Sequence, residues 1–593
     1  MPATTADRVA DLRAELARRG LDGFLVPRND EHFGEWVPAS AERLAWITGF
    51  LGSAGLAIVL TDRAAVFVDG RYTLQVRDQV DLAIFEPRHI SDEPAADWLK
   101  DAMGPGQKLG FDPWLHTESG LAALRKAAAA VGAELVAVDP NPLDAVWTDR
   151  PAAPLAPVVP HPECYAGEAS ADKRRRIAAD VVEQGASAAV LTLPESLAWL
   201  LNIRGGDVPR TPLPLGFAIL HGDGRVGLFM APEKLSPETR AWLGNAVELR
   251  PKEAFGEGLD ELSGQTVLVD KPTAVVAVCD RLKAAGATLV EGTDPTILPK
   301  ALKNETELQG TRGAHVRDGA AISRFLAWLA AEGASGDLDE MAAAERLEAI
   351  RREHDMLRDL SFDTISGAGP NGAIVHYRVS PETNRRIEAG QLFLVDSGAQ
   401  YPDGTTDITR TVAIGTPSEE MRDRFTRVLK GHIALATARF PKGTTGSQLD
   451  ALARAPLWQA GLDYDHGTGH GVGSYLGVHE GPHRISKMPS TVALQPGMIV
   501  SNEPGYYRTG AYGIRIENLV AVQEAAVDGA ERPMLGFETL TLAPIDRALV
   551  MTEMLSAEER AWLDAYHARV RETLTPLVDA ATAGWLEQAT APV

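Results

Sequence analysis

Cysteine is nearly absent: Cys164 and Cys279 are the only two in 593 residues. Two thiols cannot build a disulfide framework, so a reduced, intracellular setting is the default expectation. Positive charge is also scarce, with 58 Lys and Arg against 81 Asp and Glu and a formal net charge of -23. A surface of that sign repels phosphates, which argues against a nucleic-acid partner. No apolar run approaches the ~18 residues that a membrane span needs. The opening residues Met-Pro-Ala-Thr-Thr-Ala-Asp-Arg carry charges in place of an apolar core, so neither a membrane anchor nor a secretory signal is expected. The expected location is cytoplasmic.

What is present is ordinary for a globular chain, 45% apolar and 23% charged residues. The length exceeds a typical domain of roughly 100–150 residues, so several domains are expected. Prolines at 151, 154, 157, 160 and 162 forbid helix and mark an extended linker. A second break, about 292–304, carries Asp294-Pro295 and Leu298-Pro299. These divide the chain into 1–155, 156–298 and 299–593.

The first two parts begin alike. A helical pattern over Asp7–Arg19 with Val9, Leu12 and Leu16 apolar ends at Gly20 and leads to the strand-like Gly23–Val26. Asp172–Gln184 repeats the plan and leads to Ala188–Leu191. The pattern predicts a duplicated α/β module with helices on mixed sheets. Lys173-Arg174-Arg175-Arg176 reads as the solvated face of the second helix. Neither module shows a catalytic constellation. Val66–Tyr72 reads as a strand entering an Asp-Gly turn from which Arg71 reaches outward, and Trp199–Ile203 as an apolar element ending in a glycine loop.

The third part opens with helices, Glu305 to about Glu332 and about Leu338–His354, then switches to short strands. In Leu392–Val412 an apolar strand carries Asp396, Pro402-Asp403-Gly404 turns the chain, and the returning strand presents Asp407. Met498–Val520 echoes it with Glu503 and Glu517. Alternation puts Arg515 and Glu517 on one face, where the guanidinium balances the carboxylate. Between the hairpins His466-Gly467-Thr468-Gly469-His470-Gly471-Val472-Gly473 is too glycine-rich for a helix. It also lacks the spacing of a phosphate loop and favours close backbone approach to a site, with one histidine as ligand. Four carboxylates and an imidazole brought together repel unless cations neutralise them, which points to a paired-metal hydrolytic site. His479-Glu480-Gly481-Pro482-His483 matches H-E-x-x-H only by coincidence, because that zinc motif needs a helix and Pro482 forbids one.

With Gly369–Tyr377, Asp396–Tyr401, the histidine-glycine run, His479–Pro482 and Glu503–Tyr507, the chain resembles the M24 metallopeptidases of the pita-bread fold. Within them it is similar to the long, three-domain Xaa-Pro aminopeptidases. The resemblance spans nearly the whole chain, including Asp69–Tyr72 and Ala198–Asn202. It implies an α/β (α+β) architecture: two creatinase-N-terminal-like modules, then a pita-bread catalytic domain with a C-terminal extension. It implies two divalent cations, Mn²⁺ by the hard oxygen donors or else Zn²⁺ or Co²⁺, held by Asp396, Asp407, His470, Glu503 and Glu517, with a bridging hydroxide as nucleophile. It further implies Glu503 as proton shuttle, His376, His466 and His479 as catalytic histidines, and Arg71, His376, His479 and Arg515 as peptide contacts. The expected partners are peptides with proline second and, as a homodimer, a second copy. An Xaa-Pro dipeptidase of the same fold is the alternative.

Overall fold

The computed structural model describes residues 3–593. Packing divides the chain into two units, Met1–His161 with Glu168–Ile297, and Pro162–Gly167 with Leu298–Val593.

The first unit holds two six-stranded sheets. In the first, the helix Thr5–Arg19 starts at a reciprocal Thr4–Asp7 cap, buries Val9, Leu12 and Leu16, and stops where Gly20 takes φ 69°. It feeds the buried strand Gly23–Pro27. Numbering strands by their order in this module, the sheet runs 4-3-2-1-5-6 across Phe85–His89, Ala64–Val68, Leu56–Leu60, Gly23–Pro27, Lys108–Phe111 and Glu134–Ala137. Its neighbour senses are parallel, antiparallel, antiparallel, parallel, parallel. The second sheet runs Val247–Arg250, Val226–Phe229, Phe217–His221, Ala188–Leu191, Thr266–Val269 and Thr288–Glu291. Counting the sheet strands from Ala188–Leu191, its order is again 4-3-2-1-5-6, with the same succession of senses. The duplicated mixed α/β module is therefore present as a topological repeat.

Three details differ from the sequence reading or sharpen it. The basic run does lie on a helix, Ser170–Glu183, but Lys173 is 1% exposed. Its Nζ donates to the Trp199 carbonyl and to Asn202 Oδ1 and sits 4.3 Å from the centre of the Trp199 ring. Arg174 is buried too and donates to the Gly224 carbonyl; only Arg175 and Arg176 face water. Burial is possible because carbonyls and an aromatic face replace the solvent shell. The apolar element at Trp199 is a helix, Pro194–Leu201, closed by Asn202 in the left-handed conformation. Arg71 folds back onto its own turn: Nε and Nη2 donate to Asp69 at 2.9 and 2.8 Å, and the guanidinium lies over the Tyr72 ring.

The long helix of the second unit, Glu305–Glu332, is capped reciprocally by Asn304 and Glu307 and buried along Ile322, Phe325, Leu326 and Leu329. The helix Glu340–Arg352 follows. Two sheets then carry the chemistry. One orders Ile365–Ala368, Leu392–Ser397 and Ile408–Ala413; the other orders Phe440–Pro441, Met534–Thr539, Asn518–Ala525, Ile499–Asn502, Gly469–Gly471 and Glu480–Ile485. The backbone N–H of Glu517 donates to the Thr409 carbonyl and joins them. The C-terminal helix Ala557–Leu574 packs Leu563, Tyr566 and Val570 into the core of this same unit. No helix among the described residues is long and apolar enough to cross a membrane.

Candidate metal centre

Both hairpins break at the same place. Leu392–Ser397 pairs antiparallel with Ile408–Ala413, Asp396 opposite Thr409. Beyond Ser397 the chain changes partners: the tip forms its own ladder, Gln400 opposite Thr405, in a separate sheet. Asp407 lies in the gap between the ladders, one residue before the returning strand. In the second hairpin Ile499–Asn502 pairs with Asn518–Ala525 up to Asn502 opposite Asn518, and the tip re-pairs from Gly505 opposite Arg515. Glu503 and Glu517 occupy that gap. A residue between two ladders can direct its side chain into the space that strand neighbours leave open, which gathers the carboxylates.

His470 comes from the short strand Gly469–Gly471, and its flanking glycines are required. A Cβ at Gly469 would lie 1.9 Å from the Ser501 carbonyl oxygen, and one at Gly471 2.2 Å from that of Glu480. The His470 N–H donates to Ser501 Oγ at 2.9 Å, and Ser501 Oγ donates to Glu503 Oε1 at 3.2 Å. His470 Nδ1 donates to the Gly471 carbonyl, which leaves Nε2 facing Asp407 Oδ2 at 3.4 Å and Glu503 Oε1 at 3.8 Å. Candidate ligand atoms of Asp407, His470 and Glu517 all lie within 4.8 Å of one another.

The electrostatics ask for cations. Asp396, Asp407 and Glu517 are 8%, 4% and 1% exposed. Burial raises the Asp396 carboxyl despite Arg515 beside it. Burial likewise pushes Glu503 up to about 7, and burial with Asp407 and Asp396 nearby lifts Glu517 well above the carboxylate range. Burial disfavours charge on His470, but its hydrogen bond to Asp407 and the field of Glu503 outweigh that and push it up to about 9. Alone, the site balances its charge by retaining protons; divalent cations would replace them. Asp396 Oδ1 is buried without a hydrogen-bond partner, and with Nδ1 donating to the Gly471 carbonyl, His470 can ligate through Nε2 once that nitrogen gives up its proton. Oxygen donors with one imidazole suit divalent first-row metals, so the residues fit the implied pair of ions.

Arg515 departs from the sequence reading, which placed it beside Glu517. Its Nη2 donates to Asp396 Oδ2 at 2.6 Å and its Nη1 to the Tyr507 hydroxyl at 2.7 Å. It makes no hydrogen bond to Glu517 itself and is linked to it through Thr409, whose hydroxyl accepts from Arg515 Nε and donates to Glu517 Oε2 at 2.7 Å. Strand alternation misassigned the pair because the ladder breaks between residues 515 and 518. His466 Nε2 is 2.9 Å from the Tyr507 hydroxyl, and its Nδ1 is 3.9 Å from Glu503 Oε2. The His479 ring stands edge-on to His470 at 4.3 Å. His376 is half-buried and follows the short helix Gly369–Ala373, which packs against Tyr512–Arg515 where Gly372 meets Gly513. Arg71 belongs to the other unit. The H-E-x-x-H match is not a helix: Glu480–Ile485 is a strand. Glu480 is buried between Lys300 and Lys303, and His483 Nε2 donates to the Ile499 carbonyl. Sequence reasoning gave no role to Thr409, Ser501 or Tyr507; the paired tyrosines after Glu503-Pro504-Gly505 were the signal for the last.

Fold and site together define a metal-dependent hydrolase built on two copies of an accessory module. The model of metallopeptidase family M24 matches residues 309–524 and that of its C-terminal region 533–593. Two creatinase/prolidase N-terminal domain models match 8–146 and 149–307. A protein of Laccaria bicolor named "Probable Xaa-Pro aminopeptidase P" is 41% identical over 605 residues, covering 99% of this chain and 94% of that protein. The crystal structure of X-prolyl aminopeptidase from Caenorhabditis elegans, described as a cytosolic enzyme with a di-nuclear active site, superposes with TM-score 0.94 at 34% identity over 100% of both chains. An Xaa-Pro dipeptidase from Bacillus anthracis, at 24% identity and TM-score 0.53, shares the fold over 64% of this chain and 99% of its own. The chain belongs to metallopeptidase family M24.

Proposed function

We propose that the protein is a metal-dependent aminopeptidase that releases the first residue from peptides with proline second. The observation that carries this is the buried convergence of Asp407, His470 and Glu517 within 4.8 Å, with Asp396 and Glu503 alongside. Similarity to Xaa-Pro aminopeptidases over the whole chain supports the substrate class.

Asp396, Asp407, His470, Glu503 and Glu517 would hold two divalent cations. Bound there, the ions would polarise the scissile carbonyl and lower the pKa of an attacking water. Glu503, whose Oε1 lies 3.8 Å from His470 Nε2, is suited to take a proton from that water and to return it to the prolyl nitrogen as the bond breaks. Arg515 donates to the Tyr507 hydroxyl, which therefore donates to His466 Nε2, while His466 Nδ1 donates to the Gly467 carbonyl. That chain orients His466. His376 and His479 would donate to the peptide carbonyls and to the developing oxyanion. A prolyl bond has no N–H, so recognition falls on the ring and the free amine. Arg71, fixed on Asp69, is kept as a contact for the peptide.

The oxygen-rich donor set favours Mn²⁺. The free thiols Cys164 and Cys279 fit a reducing cytoplasm, and a homodimer would show twice the 63.5 kDa chain mass in light scattering. The assay compares Xaa-Pro with Xaa-Pro-Xaa peptides under Mn²⁺: release of the first residue from the tripeptide is expected. Cleavage of the dipeptide alone would make the protein an Xaa-Pro dipeptidase instead.

A further inference from the structure

Arg410 is among the largest fully buried side chains, and the partners of its guanidinium are neutral oxygens. Nε donates to the Pro544 carbonyl at 2.9 Å; Nη1 to those of Thr409 at 2.9 Å and Glu517 at 2.7 Å; Nη2 to Asn518 Oδ1 at 2.8 Å, the Ala543 carbonyl at 2.9 Å and the Tyr566 hydroxyl at 2.9 Å. A charge withdrawn from water with no carboxylate hydrogen-bonded to it is costly unless its donors are met in a fixed geometry. Here that geometry spans three segments: the returning strand of the first hairpin, the gap of the second, and the chain 541–545 that leads to the C-terminal helix.

The consequence falls on Glu517. Arg410 fixes the carbonyl of Glu517 and that of Thr409, the residue whose hydroxyl bonds the Glu517 carboxylate. The outer end of the guanidinium rests on Tyr566, in the helix Ala557–Leu574, and Tyr566 also lies 2.9 Å from the Ala543 carbonyl. Trp562 stacks on Tyr566 at 5.4 Å, and His432 meets Trp562 edge-on at 6.0 Å. His432 in turn holds Asn502 and Asn518, the rung next to Glu503 and Glu517. Both glutamates are thus buttressed from the C-terminal region.

We propose that Arg410, braced by Tyr566, is a positioning residue for Glu517, so that the C-terminal helix sets how tightly the centre holds its metal. This rests on Glu517 being a ligand, as proposed above. The test titrates stripped full-length protein with Mn²⁺ by calorimetry. Tyr566→Phe keeps the ring and removes the hydroxyl; Mn²⁺ binding is expected to weaken about tenfold or more, the usual cost of disturbing a group that orients a ligand. Leu563→Ala, in the same helix with a side chain in the apolar core, is expected to lower the unfolding temperature without weakening Mn²⁺ binding. Arg410→Lys, which keeps charge but loses the planar fork, should resemble Tyr566→Phe. Wild-type binding by Tyr566→Phe, or equal weakening by Leu563→Ala, overturns the proposal. Unchanged binding by Glu517→Gln would instead overturn the ligand assignment, a separate outcome.

Discussion

Asp207 in the second module and the carboxylates of the candidate metal centre are all withdrawn from water, but they are compensated in opposite ways. Asp207 meets Lys234 and accepts from the N–H groups of Ala156 and Leu215, while Lys234 also donates to the Leu215 carbonyl. One negative charge faces one positive charge, and both find further hydrogen bonds. At the centre, four carboxylates are set against one arginine and two histidines, His470 and His466, and one Asp396 oxygen is left unmatched. A closed pair stabilises a fold and has nothing to offer a ligand; an unbalanced set is held in readiness for one. The same residue type is thus structural or functional according to whether its neighbours complete its charge.

Substitutions on each side should separate the two cases. Asp407→Ala is expected to cost at least about 10³-fold in kcat/KM, several kcal/mol of lost carbonyl polarisation, with metal content below two ions by elemental analysis and the fold intact by circular dichroism. Asp207→Ala should do the reverse. It strands a buried lysine, so urea unfolding should show a loss of about 3–5 kcal/mol, while the metal content of the folded fraction stays at the wild-type level. Equal metal loss in both variants would erase the contrast.

A milder cut is Tyr507→Phe, which removes the hydroxyl shared by His466 and Arg515. A loss of about tenfold to 100-fold in kcat/KM is expected, the range seen when groups orienting a metal site are altered, read from steady-state kinetics at saturating Mn²⁺.

The smallest effect is a drift with pH. In metal-free protein, burial raises the Glu503 carboxyl from 4.5 to about 7, so folding is penalised increasingly as pH rises through that window. His470, raised from 6.5 to about 9, contributes stability that is complete below its unfolded value and lost as pH climbs through the folded one. Both trends weaken the stripped protein toward alkaline pH, whereas cations displace those protons and bind better there. The gap in unfolding temperature between Mn²⁺-loaded and stripped protein should therefore widen from about pH 6 to about pH 9. Asp207→Ala should leave that widening unchanged, and a constant gap would show that the protons are not linked to the metal.

Much of this was readable from sequence where short-range rules suffice. The helix Glu305–Glu332 follows from periodicity, and the start shared by the two modules follows from helix, glycine and apolar strand in the same succession. Their identical strand order was not readable, because pairings such as Ala188 with Val267 join residues far apart in the chain. Alternation suggested the two hairpins but not their breaks, and so gave Arg515 the wrong neighbour. A charge run carries no sign that Trp199 and Asn202 will close over one member, so Lys173 reads as surface. Arg410 carried no signal either: its acceptors are mostly main-chain carbonyls, which any sequence supplies.

The main-chain bond from the Glu517 amide to the Thr409 carbonyl has a mechanical meaning. It is a rivet between two sheets, and donors from both sides of it converge on one spot. A slide of one sheet over the other would change the separation of those side chains before it exposed any core, so the candidate centre is expected to respond to strain in this unit first. Mild denaturant should release metal ahead of any change in tryptophan fluorescence.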